Sequence, residues 1–217
     1  ESTPIFEEHG HNIVFQRVFC WGDVEGAFRD ADRVVERSFR WHRLGANPME
    51  TFGVISQWDP VEGSLTCHGS FQSQSQMALG RAASLRLPSH KVRLISQPHG
   101  GSFGGKGGSR GTDISALLSR KAGGRPVKWI EDRIEYMSGG ASQSWDRHYT
   151  ASLALLRDGT VTGLRVKLLD DLGATAEGFG AVSAAKPLAS FTGCYAIPVA
   201  EYDLTIVATN KLPGSPY

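Results

Sequence analysis

The sequence predicts an α+β fold with mixed sheets, and three features support this prediction. Segments with the alternating apolar pattern of strands are interspersed with segments of helical periodicity, but the two types do not alternate strictly as in a βαβ fold. Two pairs of strand-like segments are joined by turns typical of hairpins, at residues 59–63 and 157–159. A glycine-rich stretch connects a predicted strand at 91–96 to a predicted helix at 112–122.

The other elements follow from the same patterns. Strands are predicted where apolar residues alternate or run together between turn residues, at 13–19, 32–41, 52–58, 64–68, 91–96, 127–130, 147–156, 160–169 and 199–209. Helices are predicted at 23–30, 72–85, 112–122 and around 182–188. Residues 1–12 are polar and we expect them to be extended. We predict a linker over residues 1–20 and one domain over residues 21–217, which is incomplete at its C-terminal end.

The composition favours an ordinary globular protein. Of 217 residues, 40% are hydrophobic and 21% are charged, and 23 Lys and Arg nearly balance 22 Asp and Glu. This balance gives no sign of nucleic acid or of an anionic membrane surface as a partner. The sequence has no apolar run of membrane-spanning length and no signal peptide, so we predict a cytoplasmic location and no membrane span.

Cysteine and histidine spacing gives no support for a metal site. The three cysteines are widely separated without a C-x-x-C pair, and the seven histidines show no H-x-x-x-H spacing. This pattern argues against a disulfide framework, and against a zinc or iron–sulfur site within the chain. We therefore predict no metal-ligating residues.

The glycine-rich loop is the strongest candidate for a functional site. Six glycines lie between Gly100 and Gly108, with Phe103 in the middle. A loop between a strand and a helix presents backbone N–H groups to an anionic ligand. Glycine suits such a loop because it has no Cβ to keep the ligand away and because it adopts positive φ without strain.

From the residues alone, three other interpretations of this loop can be weighed. Gly100-x-x-x-x-Gly105-Lys106 matches most of a nucleotide P-loop, but Gly107 follows where a Ser or Thr would hold magnesium. A dinucleotide fingerprint fails, because Gly101-x-x-Gly104 does not complete G-x-G-x-x-G. A turn that only allows close packing would not need so many glycines, each of which costs chain entropy.

Five motifs, in the order of the chain, carry a resemblance. They are Pro48–Thr51 (Pro-Met-Glu-Thr), Gly100–Lys106 (Gly-Gly-Ser-Phe-Gly-Gly-Lys), residues 124–137, Asp158-Gly159 and residues 209–213. Together they resemble the large subunit of the molybdenum hydroxylases, the family of xanthine dehydrogenase, aldehyde oxidase and aerobic carbon monoxide dehydrogenase. That family has P-M-E-P, G-G-G-F-G-G-K and G-R-P-V-[KR]…D-R-x-E-x-M at the first, second and third of these positions. Gln72 lies at the distance upstream of the loop where the family has a glutamine beside the molybdenum.

The resemblance implies the family's first molybdenum-cofactor-binding domain. Its cofactor would be a molybdenum–pterin dinucleotide, in the cytosine form if the protein is bacterial, which carries the metal itself. The implied cofactor-binding residues are Gln72, Gly101, Ser102, Phe103, Gly104 and Gly105. The implied catalytic residues are Gln72, which would donate a hydrogen bond to the apical oxo group, and Phe103, which would form a wall between cofactor and substrate. Lys106 is expected to hold the local structure.

The resemblance also implies partners and a reaction. The reaction would be hydroxylation of an aldehyde or of an N-heteroaromatic carbon, or oxidation of carbon monoxide, with oxygen from water. A further chain or segment would supply the second cofactor-binding half with a catalytic glutamate, and iron–sulfur clusters and FAD would lie on other domains or subunits. This chain alone would then be inactive.

Two positions depart from the family loop. Ser102 replaces a glycine, and Gly107 stands where the purine and aldehyde branches have a glutamate. The second departure leaves the substrate class open and is the best support for an alternative function, a non-catalytic assembly module or pseudoenzyme.

Overall fold

The computed structural model of the chain describes residues 3–107, 110–139, 143–174 and 185–214. Two compact units can be distinguished within them. Unit 1 is discontinuous and consists of the chain up to Leu44 together with Ser144–Gly214. Unit 2 consists mainly of Gly45–Gln143.

Strands outnumber helices along the described part of the chain. In chain order the elements are β1 (Ile13–Trp21), α1 (Val24–Arg29), β2 (Arg33–Trp41), β3 (Gly53–Asp59), β4 (Ser64–Gly69), α2 (Gln74–Ser84), β5 (Val92–Ser96), α3 (Arg110–Lys121), β6 (Val127–Ile130), α4 (Arg133–Gly139), β7 (Asp146–Leu155), β8 (Val161–Gly173) and β9 (Val199–Ala208). Short 3-10 turns lie at Glu7–His9, Ser89–Lys91 and Lys186–Ser190.

Unit 1 is built on a five-stranded sheet in the order β1-β9-β8-β7-β2. All of its neighbours are antiparallel except β8 and β9, which are parallel. Its core is formed by apolar side chains of β8 and β9, among which Leu168, Leu204 and Ile206 are fully buried. The hairpin predicted around residues 157–159 is confirmed as the connection between β7 and β8.

Unit 2 is built on a four-stranded sheet in the order β5-β4-β3-β6, with α2 and α3 packed against its strands. Phe52, Phe71 and Leu65 are fully buried in its core. β4 and β5 are parallel, and Gly69 at the end of β4 lies beside Ser96 at the end of β5. The segments that follow these two strands therefore leave the sheet at the same edge, where ligands commonly bind in sheets with parallel strands.

The predicted fold class, α+β with mixed sheets, is confirmed. The hairpin of β3 and β4 is confirmed, and α2 lies within the range predicted for it. α3 begins at Arg110, before the predicted residue 112. The division of the chain into a linker over residues 1–20 and a domain over residues 21–217 stays a prediction.

Three details differ from the prediction or lie partly outside the described residues. Residues 1–12 are not all extended, because Glu7–His9 form a 3-10 turn that Gly10 closes with a positive φ of 67°. Part of the helix predicted around 182–188 lies outside the described residues, and the described part belongs to the 3-10 turn Lys186–Ser190. No helix among the described residues is long and apolar enough to cross a membrane.

α4 was not predicted, although its first turn has a recognisable signature. The Asp132 carboxylate accepts a hydrogen bond from the Glu135 N–H at 2.7 Å, and the Glu135 carboxylate accepts one from the Asp132 N–H at 2.9 Å. This reciprocal pair is a capping box, which satisfies two backbone donors at the helix start. It fixes the direction of a helix of only seven residues.

We expect Asp132→Ala to reduce the free energy of unfolding by about 1 kcal/mol, because the Glu135 N–H loses its acceptor. Urea unfolding followed by circular dichroism measures this change. Asp132→Asn is the matched control, since asparagine is an equally good cap and should leave the stability within about 0.5 kcal/mol of the parent. Equal losses in both variants would show that the carboxylate charge, not the cap, matters.

Candidate functional site

The shared edge of β4 and β5 brings the predicted site residues together. Gln72 follows β4 and the glycine loop follows β5, and the Gln72 N–H donates to the Lys106 carbonyl at 3.4 Å. The Ser102 hydroxyl donates to Oε1 of Gln72 in a short hydrogen bond. Gln72 and the loop, 30 residues apart in sequence at this contact, therefore form one local structure.

The middle of the loop has an unusual backbone conformation. Gly101, Phe103 and Gly104 have positive φ values of 88°, 51° and 89°. This conformation costs glycine nothing, but for a residue with a Cβ it costs on the order of 1 kcal/mol, and such strain is concentrated at functional sites. The Phe103 side chain is 59% exposed and so does not repay this cost by burial in the core.

Two backbone donors of the loop are available to a ligand. Within the described ranges, the N–H groups of Ser102 and Gly104 donate to no protein acceptor. The N–H of Gly105, in contrast, donates to the Ser102 carbonyl at 2.9 Å. A Cβ at Gly105 would clash with the hydroxyl of Tyr136 on α4, so the structure explains this glycine by close packing.

Glu50 anchors the start of the loop. Its carboxylate accepts hydrogen bonds from the Ser70 hydroxyl at 2.5 Å and from the Gly100 N–H at 2.5 Å. In return, the Glu50 N–H donates to the Gly100 carbonyl at 3.4 Å. One carboxylate thus links the Pro-Met-Glu-Thr segment, the end of β4 and the loop.

The Lys106 side chain lies next to the Glu50 carboxylate. It is fully buried, and its Nζ lies 3.8 Å from that carboxylate. Burial lowers the pKa of Lys106, and the charge of Glu50 partly offsets the change. Burial alone would raise the pKa of Glu50, but the hydrogen bonds from Ser70 and Gly100, together with the Lys106 charge, hold that pKa below its ordinary value. The expectation that Lys106 holds the local structure agrees with this geometry.

α4 supports the same segment from the other side. Arg133 donates to the carbonyls of Pro48 at 2.6 Å and Met49 at 3.1 Å. Its guanidinium also lies over the ring of Tyr136, 5.7 Å from the ring centre. Glu50, Arg133 and Tyr136 are not among the predicted site residues, although all three lie within the motifs that carry the family resemblance.

A cavity of about 270 Å³ lies on the unit 2 sheet, beside the Glu50 anchor. The polar residues that line it include Glu50, His68, Gln97 and Lys128. Neither Gln72 nor Phe103 lines it. The described residues contain no group of three or more His, Cys, Asp or Glu side chains that could hold a metal ion.

Comparison with known proteins gives a consistent result. Residues 5–217 match the family described as the molybdopterin cofactor-binding domain. The carbon monoxide dehydrogenase large chain of Afipia carboxidovorans is 35% identical over 216 residues, which cover 95% of this chain and 26% of that protein.

Solved structures agree with this match. An aldehyde oxidoreductase from Desulfovibrio gigas superposes with a TM-score of 0.85 at 25% identity, covering 95% of this chain and 22% of that one. Quinoline 2-oxidoreductase from Pseudomonas putida 86 superposes with a TM-score of 0.84 at 28% identity, covering 95% and 26% of the two chains. The chain thus spans about a quarter of the length of the relatives it matches.

We expect Glu50→Gln to reduce the free energy of unfolding by about 1–3 kcal/mol, because it leaves the Lys106 ammonium buried without a counter-charge. Glu62→Gln is the control, since Glu62 also lies 3.8 Å from a lysine, Lys91, but is exposed. It should change the stability by less than about 0.5 kcal/mol. Urea unfolding of both variants and the parent makes the comparison.

The effect of Glu50→Gln should also depend on pH. The pKa of Glu50 is lower in the folded state, so its stabilisation is complete above its ordinary pKa of 4.5 and is lost as the pH falls through the folded value. The difference between the parent and Glu50→Gln should therefore shrink below about pH 4.5. A difference that is constant from pH 7 to pH 3 would contradict the role given to the charge.

Proposed function

The chain belongs to the molybdopterin cofactor-binding domain family, and from this premise we propose that its glycine loop and Gln72 form one side of the binding site for a molybdenum–pterin cofactor. The chain would act as part of a larger oxidoreductase. The observation that carries the proposal is the joining of Gln72 to the loop by the Ser102 hydroxyl.

The residues present fit such a cofactor. The backbone N–H groups of Ser102 and Gly104 suit the oxygen-rich, anionic groups of a pterin cofactor, and the positive φ of Gly101 and Gly104 gives the loop its open shape. A pterin cofactor carries its metal through its own sulfur atoms, so the protein has to supply orientation and hydrogen bonds rather than metal ligands. Gln72 and the loop can supply both the orientation and the hydrogen bonds.

In this proposal each residue has a separate task. The Gln72 carboxamide donates a hydrogen bond to an acceptor on the cofactor. Ser102 and Gly104 donate from the backbone, Gly101 allows close approach, and Gly105 keeps the loop packed against Tyr136. Phe103, whose ring is exposed, limits the space beside the cofactor on the substrate side. Glu50 and Lys106 do not contact the cofactor but hold the loop in place.

The bound cofactor would supply the oxidative hydroxylation of an aldehyde or of an N-heteroaromatic carbon with oxygen from water, or the oxidation of carbon monoxide. These classes include the reactions named in the matched relatives, a carbon monoxide dehydrogenase, an aldehyde oxidoreductase and a quinoline oxidoreductase. We further propose a cytoplasmic complex in which another chain or segment supplies the second cofactor-binding half with a catalytic glutamate. Iron–sulfur and flavin partners would accept the electrons, and the pterin would be the cytosine dinucleotide if the protein is bacterial.

Metal analysis of the complex, purified from its native host, tests this proposal. We expect close to one molybdenum per copy of the chain. Gly104→Ala should lower the molybdenum content at least about fivefold, because the new Cβ strains the backbone at a ligand-binding N–H. Gly123→Ala is the matched control, since Gly123 also has positive φ, at 68°, but lies in an open turn with nothing near its Cβ position.

Two results would contradict the proposal. Full-length partner chains that co-purify without molybdenum, from a host with adequate cofactor supply, would favour the assembly module. Equal molybdenum contents in Gly104→Ala and Gly123→Ala would place the cofactor away from the loop. A molybdenum-containing complex can then be assayed with carbon monoxide, benzaldehyde and quinoline, using a dye as electron acceptor.

A further inference from the structure

We propose that Ser102 is a positioning residue, whose hydroxyl fixes the orientation of the Gln72 carboxamide so that its NH₂ group faces the bound cofactor. This inference rests on the proposed function, because it concerns the same site. The loop has serine at a position where the resembling family loop has glycine, and glycine could not make this contact.

The hydroxyl lies within a directed chain of hydrogen bonds. The Lys106 N–H, which can only donate, points to the Ser102 Oγ at 3.3 Å. The Ser102 hydroxyl in turn donates its one proton to Oε1 of Gln72. A hydroxyl has one donor and two acceptor positions, so Ser102 can accept from the Lys106 N–H and donate its proton to Oε1 of Gln72 at the same time.

The orientation of the carboxamide matters because its two ends have the same shape and opposite hydrogen-bonding character. With Oε1 engaged by Ser102, the Nε2 group is left to donate, and within the described part of the chain it donates to no protein acceptor. Rotation of the amide by 180° would turn an acceptor toward the cofactor instead of a donor. Gln72 is exposed, so packing does not prevent this rotation.

The hydrogen-bond chain starts from Lys106, whose position is fixed by burial. Lys106 is fully buried, and its side chain lies beside Glu50. Its carbonyl also accepts from the Gln72 N–H at 3.4 Å. The backbone of Lys106 therefore holds the backbone of Gln72 through its carbonyl and the Ser102 hydroxyl through its N–H. Only the side-chain torsions of Ser102 and Gln72 remain free.

The test uses the complete complex with four variants, namely Ser102→Ala, Ser102→Thr, Gln72→Leu and the double variant Ser102→Ala/Gln72→Leu. The first readout is the electron paramagnetic resonance spectrum of molybdenum(V) after partial reduction with dithionite. We expect Ser102→Ala to change the spectrum at near-normal molybdenum content and Ser102→Thr to restore it, since threonine keeps the hydroxyl. In the Gln72→Leu background, Ser102→Ala should cause no further change.

The second readout, amide hydrogen exchange of residues 97–107, does not depend on the metal. Ser102→Ala should speed this exchange by about 3- to 10-fold, because the Lys106 N–H loses its acceptor. Gln72→Leu should speed it less, and the double variant should show less than the product of the two effects. Ser75→Ala is the control, because Ser75 is an exposed serine on α2 outside the site. In this variant the exchange of residues 97–107 and the molybdenum(V) spectrum should both match those of the parent.

The outcomes separate the two proposals. Molybdenum present with an unchanged Ser102→Ala spectrum would overturn the role of Ser102 and leave the proposed function standing. Equal effects of Ser102→Ala with and without Gln72 would show that the serine acts independently. A parent complex without molybdenum would overturn both proposals, and the exchange measurement would still show whether the hydroxyl couples Gln72 to the loop.

Discussion

The buried ammonium group of Lys106 is the constraint on which the site depends. Removing a lysine side chain from water costs several kcal/mol unless a counter-charge is close, and Glu50 is the carboxylate that meets this need at 3.8 Å. Because the same carboxylate also binds Ser70 and the Gly100 N–H, satisfying the lysine fixes three separate segments at once. The loop can therefore hold Phe103 in a strained conformation without losing its shape.

The sequence was sufficient for most of the regular elements and for the location of the loop, but not for α4 or for the contacts that hold the loop. Hairpins and amphipathic helices are local, so their patterns lie within a few neighbouring residues. The pairing of Glu50 with Lys106 spans 56 positions, and no periodicity marks it. The helix at Arg133–Gly139 was predictable in principle, because Asp132 and Glu135 have capping-box spacing. The role of Gly105 depends on Tyr136, which lies on another element.

The site depends both on the topology of the unit 2 sheet and on the hydrogen bonds of the loop. The parallel pairing of β4 and β5 brings the ends of two strands to one edge, and this topology alone places Gln72 near the loop. Hydrogen bonds between Gln72 and the loop then fix their relative positions. Such a surface offers backbone and side-chain donors, which suits the cofactor-binding role proposed for it.

The discontinuity of unit 1 has a consequence for synthesis. Its β1 pairs with β9, and Ile13 lies opposite Val207, so the sheet cannot be completed until residues up to Val207 have left the ribosome. Unit 2 is continuous between Gly45 and Gln143, and its strands pair over shorter separations. Since contacts between distant residues form more slowly than local ones, unit 2 can fold first, while β1 remains an unpaired strand. During that interval its apolar residues, among them Val18 and Trp21, remain exposed to solvent, and such unpaired strands are prone to aggregation.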